Sequence, residues 1–235
     1  MSPRADGPAP PSAEPEEIEL KLAVGDPEVV RAVLHRPPAS GIAGFLPAGP
    51  IRSVTCVDRY FDTTDGALRL GGVRARVREQ DGELILAVKA SIASEGAVSR
   101  RVELQGPAAP GFHPPSWPPS AARERLLPLI GDRPVVEIAA LRQRRLQRNF
   151  ARGGTTVEIS LDEMSALEGR RSLARRAEVE AELLAGDAQL LQDLAAALGE
   201  LPGVGVATGS KLAFALAARA VAHITPAGAR SGEPL

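Results

Sequence analysis

Charged and aliphatic residues alternate strictly over Glu17–Lys21, just after the proline-rich start of the chain. A period of two residues is typical of a β-strand whose two faces meet different environments. The two glutamates and the lysine therefore share one face, and Ile18 and Leu20 share the other. Such a polar face is either an ordinary solvated surface or a binding site, and this segment alone leaves both readings open.

The same pattern recurs along the chain. Further strand signals cover residues 54–61, 73–78, 83–89, 99–105, 135–138, 141–150, 156–162 and 176–184. Their polar positions are sorted by segment into basic and acidic sets. The basic positions are Arg74, Arg76, Arg78, Lys89, Arg101, Arg142 and Arg144, and the acidic positions are Glu103, Glu158, Asp162, Glu178, Glu180 and Glu182. Because like charges on one strand face repel each other, we expect these faces to serve a purpose beyond solvation.

A closed sheet with a wet, charged interior satisfies this pattern, because its apolar faces can then pack outward under helices. The hairpin-like spacing predicts an α+β, mainly β fold: an eight-stranded antiparallel β-barrel or tunnel with a charged lumen and flanking α-helices. Carboxylates are hard oxygen ligands suited to Mg²⁺ or Mn²⁺. Arginine and lysine form charge-assisted hydrogen bonds with phosphates. The lumen therefore suits a compact, highly charged ligand such as a triphosphate.

Start and stop signals predict the helices and the domain limits. Asp26-Pro27 begins a helix, a short helix covers 121–127, Asp187 caps another, and Ser210 caps a last helix over 211–220. We expect residues 1–14 to be a disordered Pro-rich leader and residues 223–235 a flexible tail. Between them, residues 15–222 form a single domain.

Composition narrows the class of protein. The net charge of -1 argues against general nucleic-acid binding. The single cysteine, Cys56, fits a reducing compartment, and we predict a cytoplasmic protein with no membrane segment. The three histidines are scattered, so a metal would be held by carboxylates. Nothing in the composition predicts the oligomeric state.

Several motifs, taken in order, resemble the CYTH superfamily of triphosphate tunnel metalloenzymes. Glu17-x-Glu19-x-Lys21 resembles its first signature, and residues 58–63 its aromatic segment. The later matches are Arg74-x-Arg76, residues 87–89, 99–103, 142–145 and 158–162, Glu178-x-Glu180-x-Glu182 and Ser210-Lys211. The resemblance covers about residues 16 to 220, and the ordered set is far more specific than its first motif.

The resemblance implies an eight-stranded tunnel and a phosphohydrolase that cleaves the terminal phosphate of inorganic, nucleoside or thiamine triphosphate with one or two Mg²⁺ or Mn²⁺ ions. The expected metal ligands are Glu17, Glu19, Glu178, Glu180, Glu158 and Asp162, with Glu103 and Glu182 as further candidates. Glu178 and Glu180 are expected to face the first two across a metal. The expected phosphate-binding residues are Lys21, Arg74, Arg76, Lys89, Arg101, Arg142, Arg144 and Lys211. Two alternatives stay open: a class IV-type adenylate cyclase, and a non-catalytic module that binds polyphosphate or nucleotides.

Overall fold

The structure is a computed structural model that describes residues 16–95 and 97–224. The expected disordered leader over residues 1–14 lies outside the described residues, as does most of the expected tail. Residues 223 and 224, which were placed in the tail, are the last residues of the C-terminal helix.

Eight antiparallel strands form a closed ring. They follow one another in the order β1-β6-β5-β4-β3-β7-β8-β9, and β9 pairs again with β1. The ring strands are β1 (Glu16–Val24), β3 (Arg52–Thr63), β4 (Val73–Gln80), β5 (Glu83–Glu95), β6 (Val98–Pro107), β7 (Val135–Arg152), β8 (Thr155–Glu168) and β9 (Arg171–Ala185). Two short strands, β2 (Leu46–Pro47) and β10 (Val204–Val206), add to β7 and β1. The predicted eight-stranded antiparallel barrel is confirmed.

Local sequence explains the hairpin turn between β4 and β5. Asp81 and Gly82, with φ angles of 53° and 82°, form the tight turn between β4 and β5. Both residues lie in the left-handed region that a two-residue hairpin of this kind requires.

The strand β7 differs from the prediction. Two separate strands were expected, over residues 135–138 and 141–150. They form one strand because Ala139 and Ala140 continue the pairing with β3.

Within the described part of the chain, five α-helices flank the barrel: α1 (Pro27–Leu34), α2 (Ala67–Leu70), α3 (Ala121–Ile130), α4 (Leu190–Gly199) and α5 (Lys211–Ile224). Asp26 caps α1 by accepting from the Glu28 N–H at 3.0 Å. Asp187 accepts from Gln189 at 2.8 Å, one turn before α4 begins. The helix α2 was not predicted; the buried Asp62 carboxylate holds it by accepting from its backbone N–H groups.

The apolar strand faces point outward into two cores. One core lies between α1, α4 and the outer faces of β1, β7, β8 and β9. The other lies beneath α2 and α3 on the outer faces of β3 to β6, where Trp117 packs edge-on against Phe61 with ring centres 5.7 Å apart. No helix among the described residues is long and apolar enough to cross a membrane.

The helix α5 packs differently from the others. Leu212 and Ala215 of this helix contact the inward-facing Tyr60, Leu141 and Met164 at one end of the barrel. Its first turn, capped by Ser210 Oγ accepting from the Ala213 N–H, therefore enters the barrel interior. This packing carries the side chain of Lys211 to the charged residues there.

Candidate active site

The inner faces of the ring strands surround a charged cavity, which we call the tunnel. Eight basic and five acidic side chains of the described residues line it, and buried carboxylates behind the lining, such as Asp58 and Asp162, pair with several of the cations. The basic residues are Lys21, Arg74, Arg76, Arg78, Lys89, Arg101, Arg145 and Lys211, and the acidic residues are Glu17, Glu19, Glu158, Glu180 and Glu182. Tyr60, Gln105, Ser160 and Ser210 complete its polar wall. The alternation seen in the sequence places these side chains inside because the intervening aliphatic residues fill the outer cores.

The two acidic strands are neighbours and do not face each other across the tunnel. In the pairing of β1 with β9, Glu19 lies opposite Glu182, and Lys21 lies opposite Glu180. Glu182 also lies opposite Glu158 on β8. Glu19, Glu182 and Glu158 thus form a row across three adjacent strands, with neighbouring Cβ atoms about 5 Å apart. Burial, with added repulsion from the two flanking carboxylates, raises the pKa of Glu182.

Lys21 joins the carboxylates of β1 and β9. Its Nζ lies 2.8 Å from Glu180 Oε1 and 3.6 Å from Glu19 Oε1. Glu178 is farther away, at 3.9 Å, and lies behind the lining residues. Both Glu178 oxygens are buried without a hydrogen bond, although an Arg176 guanidinium nitrogen is 2.6 Å from Oε1. Burial raises the pKa of Glu178 because the charged form loses its hydration.

Asp162 and Glu180 are held by two cations from different elements. Arg145 of β7 binds both Asp162 oxygens at 2.7 Å and reaches Glu180 at the same distance. Lys211 donates to Asp162 at 2.5 Å and to Glu180 at 3.1 Å. Asp162 is fully buried beneath these cations and does not line the tunnel. The contacts fix the first turn of α5 to the barrel interior.

Lys89 bridges two carboxylates at another part of the tunnel. Its Nζ donates to Glu17 at 3.0 Å and also contacts Glu103, which lies just behind the lining. Burial, only partly offset by Lys89, raises the pKa of Glu17 to about 7. For Glu103 burial acts in the same direction, but attraction to Lys89 and Arg76 outweighs it and lowers the pKa to about 2. Near neutral pH, Glu17 is therefore partly protonated and Glu103 is charged.

Asp58 anchors the arginines of β4, a role that sequence reasoning missed. Arg78 donates to it through Nε at 2.7 Å and Nη2 at 2.9 Å, and Arg76 donates at 3.1 Å. The carboxylate is fully buried, and although burial opposes its charge, the two guanidiniums hold its pKa well below the usual range. The alternation of β4 places Arg78 on the same face as Arg74 and Arg76, although it is not among the expected phosphate-binding residues.

The prediction that Arg142 and Arg144 point into the lumen is wrong. Both side chains are exposed on the outer surface of β7, whereas Gln143 and Arg145 point inward. The physical reason is the register of the strand, since Leu146 and Phe150, of the same parity as the two arginines, pack into the outer core. Arg145 takes the place in the tunnel that the sequence assigned to its neighbours.

The donor chemistry of the tunnel fits Mg²⁺ or Mn²⁺, because hard carboxylate oxygens are concentrated there. The row of Glu19, Glu182 and Glu158 and the unbonded oxygens of Glu178 are the donors that fit best. Across residues 16–95 and 97–224, however, no three acidic, His or Cys side chains converge as a ready metal site. The carboxylates turn instead toward lysine and arginine, as Glu19 does toward Arg101 at 2.8 Å.

Solved structures of other proteins share this fold. One similar structure is HpAC1 from Hippeastrum, an adenylyl cyclase candidate described as having a dominant triphosphatase activity. Its sequence is 18% identical to this chain, and the two structures superpose with a TM-score of 0.60. The match covers 86% of this chain and 95% of HpAC1. An adenylate cyclase candidate from Bacillus halodurans is 15% identical with a TM-score of 0.52, covering 85% and 97%. Comparison with curated protein sequences finds no match.

The profile of the CYTH domain matches residues 15–214, which is most of the chain. The protein belongs to the CYTH family, and the expectation drawn from its ordered motifs is confirmed.

Proposed function

We propose that the protein is a metal-dependent phosphohydrolase that cleaves the terminal phosphate of a triphosphate inside the tunnel. The observation that carries this proposal is the convergence of eight cationic side chains on the interior of a closed barrel, where Arg74 has no carboxylate partner among the described residues. A concave, partly desolvated site focuses its field and attracts a compact polyanion. The described triphosphatase activity of HpAC1 supports hydrolysis as the reaction.

The cations of the tunnel would hold the phosphate chain. The free cavity is only about 120 Å³ because basic and acidic side chains pair across it. A triphosphate would therefore replace carboxylates as the partner of several lysines and arginines. Arg74 lines the tunnel and has no carboxylate partner within the described part of the chain, so it is free to bind a phosphate at once. Lys21 and Lys211 would follow by exchanging Glu180 for phosphate oxygens.

The carboxylates released by this exchange would hold the metal. Glu19, Glu158 and Glu182 are the leading ligands by position, and Glu17 and Glu180 lie beside them in the lining. A divalent cation, when bound, neutralises charge on the phosphate oxygens and orients water. The chain's own cations position the phosphates and stabilise the charge that develops on the leaving oxygen, which is the main source of catalysis in phosphoryl transfer.

Phosphate release from inorganic triphosphate, ATP and thiamine triphosphate, with Mg²⁺ or Mn²⁺, tests the proposal. We expect Glu19→Gln and Glu180→Gln each to lower metal-dependent release at least a hundredfold, a loss of the size seen when one stabilising group is removed from an active site. Glu124→Gln, on the exposed surface of α3, is the matched control.

The same panel separates the alternatives. Cyclic AMP formed from ATP would identify a cyclase. Tight binding of triphosphate by calorimetry without turnover would identify a binding module. Turnover equal to that of the unmodified protein in both glutamate variants would remove the proposed metal site.

A further inference from the structure

A second concave region lies on the outside of the barrel, beside the N-terminal end of α1. We call it the outer groove and define it by six of its lining residues: Thr55, Arg142, Arg144, Glu163, Ser165 and Arg175. Its volume is about 710 Å³. This lies within the range of about 300–1,000 Å³ that is common for small-molecule sites. The wall of β7 separates the groove from the tunnel, because successive side chains of that strand point to opposite sides.

Strand register places the groups of the groove in a defined arrangement. Arg142 pairs with Ser165 of β8, and Ser165 pairs with Arg175 of β9. A hydroxyl group of β8 therefore lies between two guanidinium-bearing residues of the strands on either side, β7 and β9, whose backbones are about 9.6 Å apart. Arg144 adds a third guanidinium about 6.8 Å along the same strand as Arg142. These lengths allow the three side chains to surround one elongated ligand.

The three arginines form no ion pair among the described residues. No carboxylate of the described residues lies within ion-pair distance of Arg142, Arg144 or Arg175. Glu163 is the single acidic residue among the described lining residues. It lies opposite Arg144 in the pairing of β7 with β8, but its carboxylate binds Arg31 of α1 at 3.0 Å. Grouped like charges on one sheet face are unfavourable unless an opposite charge joins them.

We propose that the outer groove binds a short phosphate chain, either inorganic polyphosphate or the phosphate chain of a nucleotide. Guanidinium groups bind phosphate oxygens in pairs, with a planar geometry that lysine does not offer. The Ser165 hydroxyl supplies a neutral donor between Arg142 and Arg175, and the Thr55 hydroxyl supplies another beside Arg144 on the neighbouring strand β3. This site is separate from the tunnel and does not depend on hydrolysis there.

A small phosphorylated ligand fits better than a nucleic acid. Pro27 at the start of α1 lines one side of the groove, and Glu163, which Arg31 of the same helix binds, adds an acidic group to the lining. An extended strand needs a basic track that continues over the surface, whereas the net charge of the chain is -1.

An NMR titration with inorganic tripolyphosphate, in EDTA and at fixed ionic strength, tests the inference on the full chain. The amides of Thr55 and Ser165 and the side-chain Nε–H signals of Arg142 and Arg175 report the groove. The amides of β4 report the tunnel. We expect saturable shifts in both sets for the unmodified protein. We expect the double variant R142E/R175E to weaken groove binding at least tenfold while the β4 shifts keep their midpoint.

Two further variants control for charge and folding. Arg125→Glu reverses one exposed charge on α3 and should leave the groove midpoint within twofold. Arg175→Lys keeps the charge but loses the paired donors, and we expect an intermediate loss. Groove shifts that fail to saturate, or that respond equally to Arg125→Glu, would overturn the inference. Tighter binding of a short oligonucleotide than of tripolyphosphate or ATP would also overturn it. Groove binding without any phosphate release would uphold it while refuting the proposed hydrolase.

Discussion

The tunnel and the outer groove both carry arginines of β7, but the arginine in the tunnel is ion-paired and the arginines in the groove are not. In the tunnel, Arg145 is bound by Asp162 and Glu180. On the other side of the same strand, Arg142 and Arg144 have no acidic partner among the described residues. An unpaired charge is costly where water is scarce and cheap where water is plentiful. Pairing therefore follows how far each site is closed to solvent.

The largest expected effect is on stability, from removing a tunnel carboxylate. Asp58→Asn leaves Arg76 and Arg78 without their shared anion, and we expect the free energy of unfolding to fall by about 3 kcal/mol. Urea denaturation measures this. The matched control is Asp193→Asn, which breaks an exposed pair with Arg152 and should cost less than about 1 kcal/mol. Similar losses in the two variants would mean that the tunnel is as wet as the surface.

The next effect separates function from stability. Arg74 lines the tunnel and has no carboxylate partner among the described residues. The substitution Arg74→Gln therefore leaves no buried carboxylate without its cation. We expect triphosphate turnover to fall about a hundredfold, while the free energy of unfolding changes by less than about 0.5 kcal/mol. Phosphate release and urea denaturation of the same preparation measure the two quantities. A variant that loses stability in proportion to its activity would show that Arg74 is structural.

The alternation of charged and aliphatic residues explains which strands and which inward-facing side chains could be predicted from the sequence. Over residues 17–21 of β1, 73–78 of β4 and 177–183 of β9, charged residues alternate strictly with aliphatic ones, so both the strand and its inward face could be predicted. The run Arg142–Arg145 carries no such signal because four polar residues stand together. Counting back from Leu146 and Phe150 would have placed Arg142 and Arg144 outside. The inward-facing Leu141, which α5 covers, obscured that count.

Strand order and long-range partners could not be predicted, because they depend on how distant segments pair. The sequence shows two acidic strands but not that β1 and β9 are neighbours that close the ring. The role of Asp58 likewise depends on β3 lying beside β4. The kinds of side chain that line the tunnel could thus be predicted, whereas the order of the strands and the partners of each charged side chain could not.

A third prediction concerns pH and the partly protonated Glu17. Its pKa rises from an ordinary value of 4.5 to about 7 on folding. The folded protein therefore binds more protons than the unfolded chain between these values, and stability falls as pH rises through this window. In metal-free protein we expect a loss of roughly 2 kcal/mol between pH 4.5 and 7, below the full value of the shift because of residual contact with water. Thermal or urea unfolding across pH measures it.

Glu17→Gln is the control for that prediction, since an amide does not titrate. The variant should lose most of the decline in stability between pH 4.5 and 7. A decline that persists unchanged would assign the proton to another group of the tunnel, with Glu182, whose pKa is also raised by burial, as the first candidate.

The smallest expected effect lies in the outer groove and has the opposite sign. Arg142→Gln removes one of three unpaired guanidiniums, so we expect the free energy of unfolding to rise by up to about 0.5 kcal/mol at low salt. The gain should vanish in 1 M NaCl, where exposed charges are screened within about 3 Å. Arg125→Gln, an isolated exposed arginine on α3, should show neither the gain nor its salt dependence. A loss above 1 kcal/mol for Arg142→Gln would reveal a hidden partner, and the contrast between a paired tunnel and an unpaired groove would then fail.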